Sequence, residues 1–154
     1  MAQILLIDHN PQIRLVIKAL IEAHPGWHIC GEATDGQEGV DKAIELKPDL
    51  VVLDFSMPAL NGFQVAEKIF KVYPSLPLVL CTIHYFQEMI AEAKKVGIRE
   101  VVDKANEAAR LLEVIEALLE ENPQPFANAI SPSPQPELAD PEGGNGKEKP
   151  PELN

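Results

Sequence analysis

The sequence predicts a doubly wound α/β fold, a five-stranded parallel sheet with helices on both faces. Three observations predict it: short, nearly continuous apolar runs, amphipathic stretches between them, and helix-ending residues at the joints. The runs lie at residues 4–7, 50–53, 78–81 and 101–102, with a weaker one at 27–30. Apolar runs of this length suit strands buried on both faces, as in parallel sheets. Between them, Ile13, Val16, Ile17, Leu20 and Ile21 fall three and four apart, as do Val65, Ile69, Phe70 and Tyr73. Leu111, Leu112, Ile115, Leu118 and Leu119 give the last such face. Strands alternating with helices make five βα units.

The joints agree. Asp35 precedes a helical stretch with Glu38 three residues on, the spacing of a capping box. Asn61 and Asn106 stand where N-caps are expected. Pro48 and Pro74 stop helices before the third and fourth strands, and Gly97 closes the helix before the fifth.

Composition narrows the function. A formal charge of −11 argues against a nucleic-acid surface, which needs Lys and Arg to meet phosphates. No leader or bilayer-length apolar run is present, so a cytoplasmic protein without a membrane partner is expected. Cys30 and Cys81 are too few for a disulfide scaffold and too far apart for a Cys-x-x-Cys motif; each lies in an apolar run and reads as a buried thiol. Eight of the fourteen prolines fall in residues 122–154, beside a Gly143-Gly144-Asn145-Gly146 run. That composition cannot bury enough surface to offset its ordering entropy, so residues 1–121 read as the domain and 122–154 as a disordered acidic tail. The tail reads first as an inert segment, with Phe126 and Ile130 as a candidate small docking point.

In open parallel sheets, chemistry gathers outside the carboxyl ends of the strands. The first strand here ends in Asp8-His9-Asn10 and the third in Asp54-Phe55-Ser56. Cys81-Thr82-Ile83-His84 follows the fourth and Asp103-Lys104-Ala105 the fifth. Each residue has a structural reading: a strand-end Asp is often a turn residue, and a lone Lys is usually solvated. Their coincidence favours phosphoryl transfer to a carboxylate, in which a divalent cation and a Lys neutralise the transferred group. Asp54 is then the nucleophile, with Lys104 and Thr82 on the phosphoryl oxygens. A phosphatase acting on outside substrates fits poorly, since Ser56 stands where a general acid two residues past Asp54 is needed.

At these residues the sequence resembles the receiver domain of two-component response regulators. The segments ILLIDHNPQIR, ATDGQEGVDKAIELKPDLVVLDFSMPALNGFQVAEKI, LVLCTIH and GIREVVDKANEAARLLEVI carry the likeness, which covers about Gln3 to Glu121. The Thr-x-His ending and the non-proline residue after Lys104 resemble the NarL/LuxR branch. The resemblance implies a flavodoxin-like sheet of order 2-1-3-4-5. It makes Asp54 the phosphoacceptor, Thr82 the switch hydroxyl and Lys104 the family's lysine. Asp8, Asp54 and the backbone carbonyl of Ser56 become ligands of Mg²⁺, with Mn²⁺ as the alternative. It also implies a sensor histidine kinase or phosphotransfer protein as phosphodonor, an effector protein and a second copy of the chain as partners.

Two departures stand out. His9 replaces the second acid; either its imidazole ligates the ion, or it turns outward and leaves Asp8 to hold it. Val101 occupies the place of an aromatic switch residue. Where NarL/LuxR regulators continue into a helix-turn-helix domain, this chain runs into its proline-rich tail, so a stand-alone receiver acting through protein contacts is expected. The rival expectation is a pseudo-receiver scaffold, regulated by partner binding without phosphate.

Overall fold

A computed structural model describes residues 1–83, 85–105 and 108–121. Five βα units follow in order: β1 (Ala2–Ile7), α1 (Pro11–Glu22), β2 (Trp27–Ala33), α2 (Gly36–Leu46) and β3 (Leu50–Leu53). Then come α3 (Gly62–Val72), β4 (Leu78–Thr82), α4 (Glu88–Lys95), β5 (Glu100–Asp103) and α5 (Ala108–Glu121). The strands form one sheet of order β2-β1-β3-β4-β5, and every pairing is parallel.

Successive residues of a strand face opposite sides of the sheet, and both sides are covered. Leu5, Ile7, Val51, Leu53 and Leu80 pack with Val40, Val65, Ile69 and Met89 from α2, α3 and α4. Ile4, Leu6, Val52, Val79 and Val102 pack with Ile17, Ile21, Leu111 and Ile115 from α1 and α5. Burying one aliphatic side chain contributes roughly 1.5–3 kcal/mol, so the two layers supply the main force that holds the strand ends in register.

The structure corrects several local expectations. Strand β2 runs on to Ala33 because Cys30 bulges: Ile4 pairs with Ile29, but Leu5 pairs with Gly31. The bulge leaves Cys30 only partly buried, while Cys81 is buried and its thiol is pushed up to about 12 by desolvation. On α1, Val16 is 65% exposed, because Ile17 and Ile21 alone reach the sheet fully. Phe70 also stays half out, its ring lying over Gly97, which turns with φ 93° and has no room for a Cβ.

The caps hold with one change. Asp35 accepts the Glu38 N–H, but the Glu38 carboxylate accepts from the Thr34 N–H and hydroxyl in place of the Asp35 N–H. Asn61 forms a complete box with Gln64. Lys47 closes α2 in the left-handed region just before Pro48, and α3 ends two residues before Pro74. Asn106 and residues 122–154, with Phe126 and Ile130, lie outside the described residues. Among the described residues no helix is long and apolar enough to cross a membrane.

Candidate functional site

Register brings the acids together. Ile7 pairs with Leu53, so the next residues, Asp8 and Asp54, leave adjacent central strands side by side. The Asp54 N–H donates to the Ile7 carbonyl at 2.9 Å, and the Asp8 N–H to that of Ala33 at 3.0 Å. Thr82 pairs with Asp103, and the Lys104 N–H donates to the Thr82 carbonyl at 2.9 Å, fixing where the Lys104 side chain starts. Asp8, Asp54 and Thr82 are all buried.

Lys104 is a buried cation in spite of following an edge strand. Its Nζ lies 2.6 Å from Asp8 Oδ2 and 3.4 Å from Asp54 Oδ1. The other Asp8 oxygen accepts the Asn10 N–H at 2.9 Å. Asp54 Oδ1 accepts the Phe55 N–H at 2.8 Å. Burial raises the Asp54 carboxyl above its ordinary range; Lys104 acts against this, Asp8 adds to it, and the Phe55 N–H lowers it.

His9 completes the group. Its Nδ1 is 3.4 Å from Asp54 Oδ2, so the ring faces the acids although the side chain is 46% exposed. Asp8, His9 and Asp54 offer ligand atoms all within 4.8 Å of one another. Two carboxylates and an imidazole at that spacing fit a divalent cation. His9, Asp54, Ser56, Ile83 and Lys104 line an open cavity of about 230 Å³. The structure thus brings together Asp8, His9, Asp54, Ser56 and Lys104, with Thr82 at the end of the neighbouring strand.

Two residues of the site escaped the sequence reading. Asn10 caps α1, its Oδ1 accepting the Gln12 and Ile13 N–H groups at 2.9 and 3.1 Å. The Asn10-Pro11 pair at a helix start was the available signal. Arg14 donates from Nη1 to the Asp8 carbonyl at 2.7 Å and from Nε to Glu32 at 3.0 Å. Nothing in its local spacing points to that reach.

The loop after β3 is held by backbone. The Gly62 N–H donates to the Phe55 carbonyl at 2.7 Å and the Leu60 N–H to that of Pro58 at 2.9 Å. Ala59 turns between them with φ 72°, a conformation a side chain adopts at some cost.

An open parallel sheet whose mouth gathers two buried acids, a hydroxyl and an ammonium defines a receiver-type signalling domain. Residues 4–116 match the family described as response regulator receiver domain, and the chain belongs to that family. It is 34% identical over 113 residues to the chemotaxis protein CheY of Thermotoga maritima, covering 73% of this chain and 93% of that protein. It is also 34% identical over 114 residues to the nitrate/nitrite response regulator NarL of Escherichia coli K12, covering 74% of this chain and 53% of NarL. A LuxR-family two-component response regulator from Aurantimonas sp. SI85-9A1 superposes with a TM-score of 0.76 at 30% identity, over 79% of this chain and 86% of that one. Phosphorylation and Mg²⁺ are typical of this family.

Proposed function

We propose that the protein is a phosphorylation-dependent switch of a two-component system, with Asp54 as phosphoacceptor. The observation that carries this reading is the Lys104 ammonium held between Asp8 and Asp54 in a buried mouth with space above it. A carboxylate oxygen of Asp54 attacks the phosphorus of a phosphohistidine on a kinase or phosphotransfer protein. The P–N bond breaks, a P–O bond forms an acyl phosphate, and the departing imidazole takes a proton from solvent. Lys104 then balances phosphoryl charge, and the hydroxyl of Thr82, on the strand beside β3, would donate to a phosphoryl oxygen.

Asp8, Asp54, the Ser56 carbonyl and His9 are the groups that would hold a divalent cation, Mg²⁺ or Mn²⁺. When bound, that ion neutralises the negative charge shared by phosphoryl group and acids.

The output route runs through Thr82. Beyond it the chain emerges, with Ile83 and Phe86 each 54% exposed. Tyr85 and Val101 line a small cavity with Arg110 where β5, α4 and α5 meet. A phosphoryl group that draws Thr82 inward biases two existing arrangements of this face, which docks an effector protein or a second copy of the chain.

The closeness of His9 to Asp54 favours a second reading, a scaffold regulated by partner binding alone. One experiment separates them. The protein is incubated with a small acyl phosphate and Mg²⁺ or Mn²⁺, and intact mass spectrometry seeks a labile phosphoryl adduct. The switch requires an adduct that Asp54→Asn abolishes. No adduct with either ion, under conditions that phosphorylate His9→Asp, would leave the scaffold reading standing.

A further inference from the structure

We propose that His9 makes the cation mouth selective for divalent ions that accept a nitrogen ligand, Zn²⁺ strongly and Mn²⁺ more weakly, over Mg²⁺. This deepens the reading of the mouth as the cation site of a phosphoacceptor and rests on it.

The first argument is the donor set. Mg²⁺ prefers oxygen ligands in near-ideal octahedral array and gives up water reluctantly. Neutral imidazole instead suits the later first-row ions and Zn²⁺. His9 is exposed enough to turn to solvent, yet its Nδ1 faces Asp54 Oδ2 at 3.4 Å. That separation exceeds an ordinary N–H···O hydrogen bond. Two coordination arms of about 2.1 Å each span it with the ion between them.

The second argument is charge. Asp8 and Asp54 carry two negative charges, and Lys104 lies within 2.6 and 3.4 Å of them. Arg14 adds a guanidinium at the Asp8 carbonyl, although Glu32 shares it. An imidazole in place of a third acid leaves Asp8, Asp54 and Lys104 with one net negative charge, closer to balance than an acid there would. A hard ion held by charge loses most from that balance, whereas an ion that accepts a nitrogen lone pair is compensated by the imidazole bond.

The third argument is access. Both Asp8 oxygens already accept hydrogen bonds, one from the Asn10 N–H and one from Lys104. Asp54 and His9 line the open cavity above. An arriving ion therefore meets one carboxylate oxygen and one imidazole nitrogen first, a mixed pair.

Calorimetric titration of the full chain with Mg²⁺, Mn²⁺ and Zn²⁺ tests this without any phosphodonor. The expected order is Zn²⁺ tighter than Mn²⁺ and Mn²⁺ tighter than Mg²⁺, with Zn²⁺ and Mg²⁺ at least about a hundredfold apart. His9→Ala should weaken Zn²⁺ about tenfold or more while leaving Mg²⁺ within about twofold. His9→Asp should strengthen Mg²⁺ about tenfold and narrow the gap. Asp54→Asn, run in parallel, should lower all three affinities and so locate the binding. Zn²⁺ affinity unchanged in His9→Ala, or Mg²⁺ bound as tightly as Zn²⁺ by the natural sequence, overturns the proposal. Selective binding without a phosphoryl adduct would leave this inference standing and sink the phosphoacceptor reading. An adduct with ion affinities indifferent to residue 9 would do the reverse.

Discussion

Lys104 reaches from the end of β5 to Asp8 at the end of β1, 96 positions earlier in the chain, with Nζ 2.6 Å from Oδ2. It crosses two strands to do so, because β3 and β4 lie between β1 and β5. The pair closes one side of the mouth and keeps two buried carboxylates from facing each other unpaired.

Lys104→Met should therefore destabilise the fold. Removing one partner from a buried ion pair typically costs about 3–5 kcal/mol, because the remaining charge stays buried. The urea midpoint should fall while the slope of the transition stays the same. A cycle with Asp8→Asn should show strong coupling, the double variant losing less than the sum of the single ones. Additive losses would mean that the contact contributes little.

Asp54→Asn should do the opposite at neutral pH. Burial raises the Asp54 carboxyl above its ordinary value of 3.8. Between that value and the raised one, the folded state binds more protons than the unfolded state, so stability falls as pH rises. Above the raised value the whole penalty is present. The amide removes the charge and can still accept the Phe55 N–H. Thermal melts in chelator should show the variant more stable near about pH 7, with the gap closing as pH falls toward about 4. A gap that widens on acidification would reverse the sign assigned to burial.

Much of this was legible in the sequence, for identifiable reasons. The strands with both faces buried announced themselves as unbroken apolar runs, and strand ends alone placed Asp8, Asp54, Thr82 and Lys104 at one mouth. Strand β2 was read short because its second half, Gly31-Glu32-Ala33, carries no apolar run; the Cys30 bulge restores its pairing with β1. Val16 and Phe70 follow helical spacing as well as their neighbours do, yet the sheet has room for Ile17, Ile21, Val65 and Ile69 and leaves those two out. Spacing likewise left two directions open for His9, and the structure turns its ring toward Asp54. Side-chain direction at a mouth depends on partners far along the chain, and no local pattern encodes it.

Gly62 gives a steric prediction. A Cβ there would lie 2.6 Å from the Asp54 carbonyl oxygen and 2.7 Å from Leu80 Cδ1. The first is the backbone of Asp54 itself and cannot swing aside as a side chain would. Gly62→Ala should cost about 1–3 kcal/mol, the usual range for overpacking, and should slow phosphorylation by shifting Asp54. Gly26→Ala is the control, since its Cβ would meet only the His24 ring, at 3.5 Å. It should stay within about 0.5 kcal/mol. Equal losses at both positions would point to glycine flexibility in place of the clash.

Asn10 ties the stability of α1 to the mouth. Its side chain accepts the Gln12 and Ile13 N–H groups, while its own N–H donates to Asp8 Oδ1. Asn10→Ala should cost about 1 kcal/mol, the usual loss for a helix cap, and should loosen the first turn of α1 beside His9. Asn10→Asp keeps the cap and places a negative charge at the positive end of the helix, which is favourable by about 0.3–1 kcal/mol. The same charge approaches Asp8 and Asp54, so in chelator the two effects oppose each other. Adding Mg²⁺ relieves the repulsion and leaves the gain. The Mg²⁺-induced rise in melting temperature should thus be larger for Asn10→Asp than for the natural sequence, and unchanged for Asn10→Ala once its lower baseline is subtracted. Equal rises in all three proteins would place the bound ion away from the Asn10 end of the mouth.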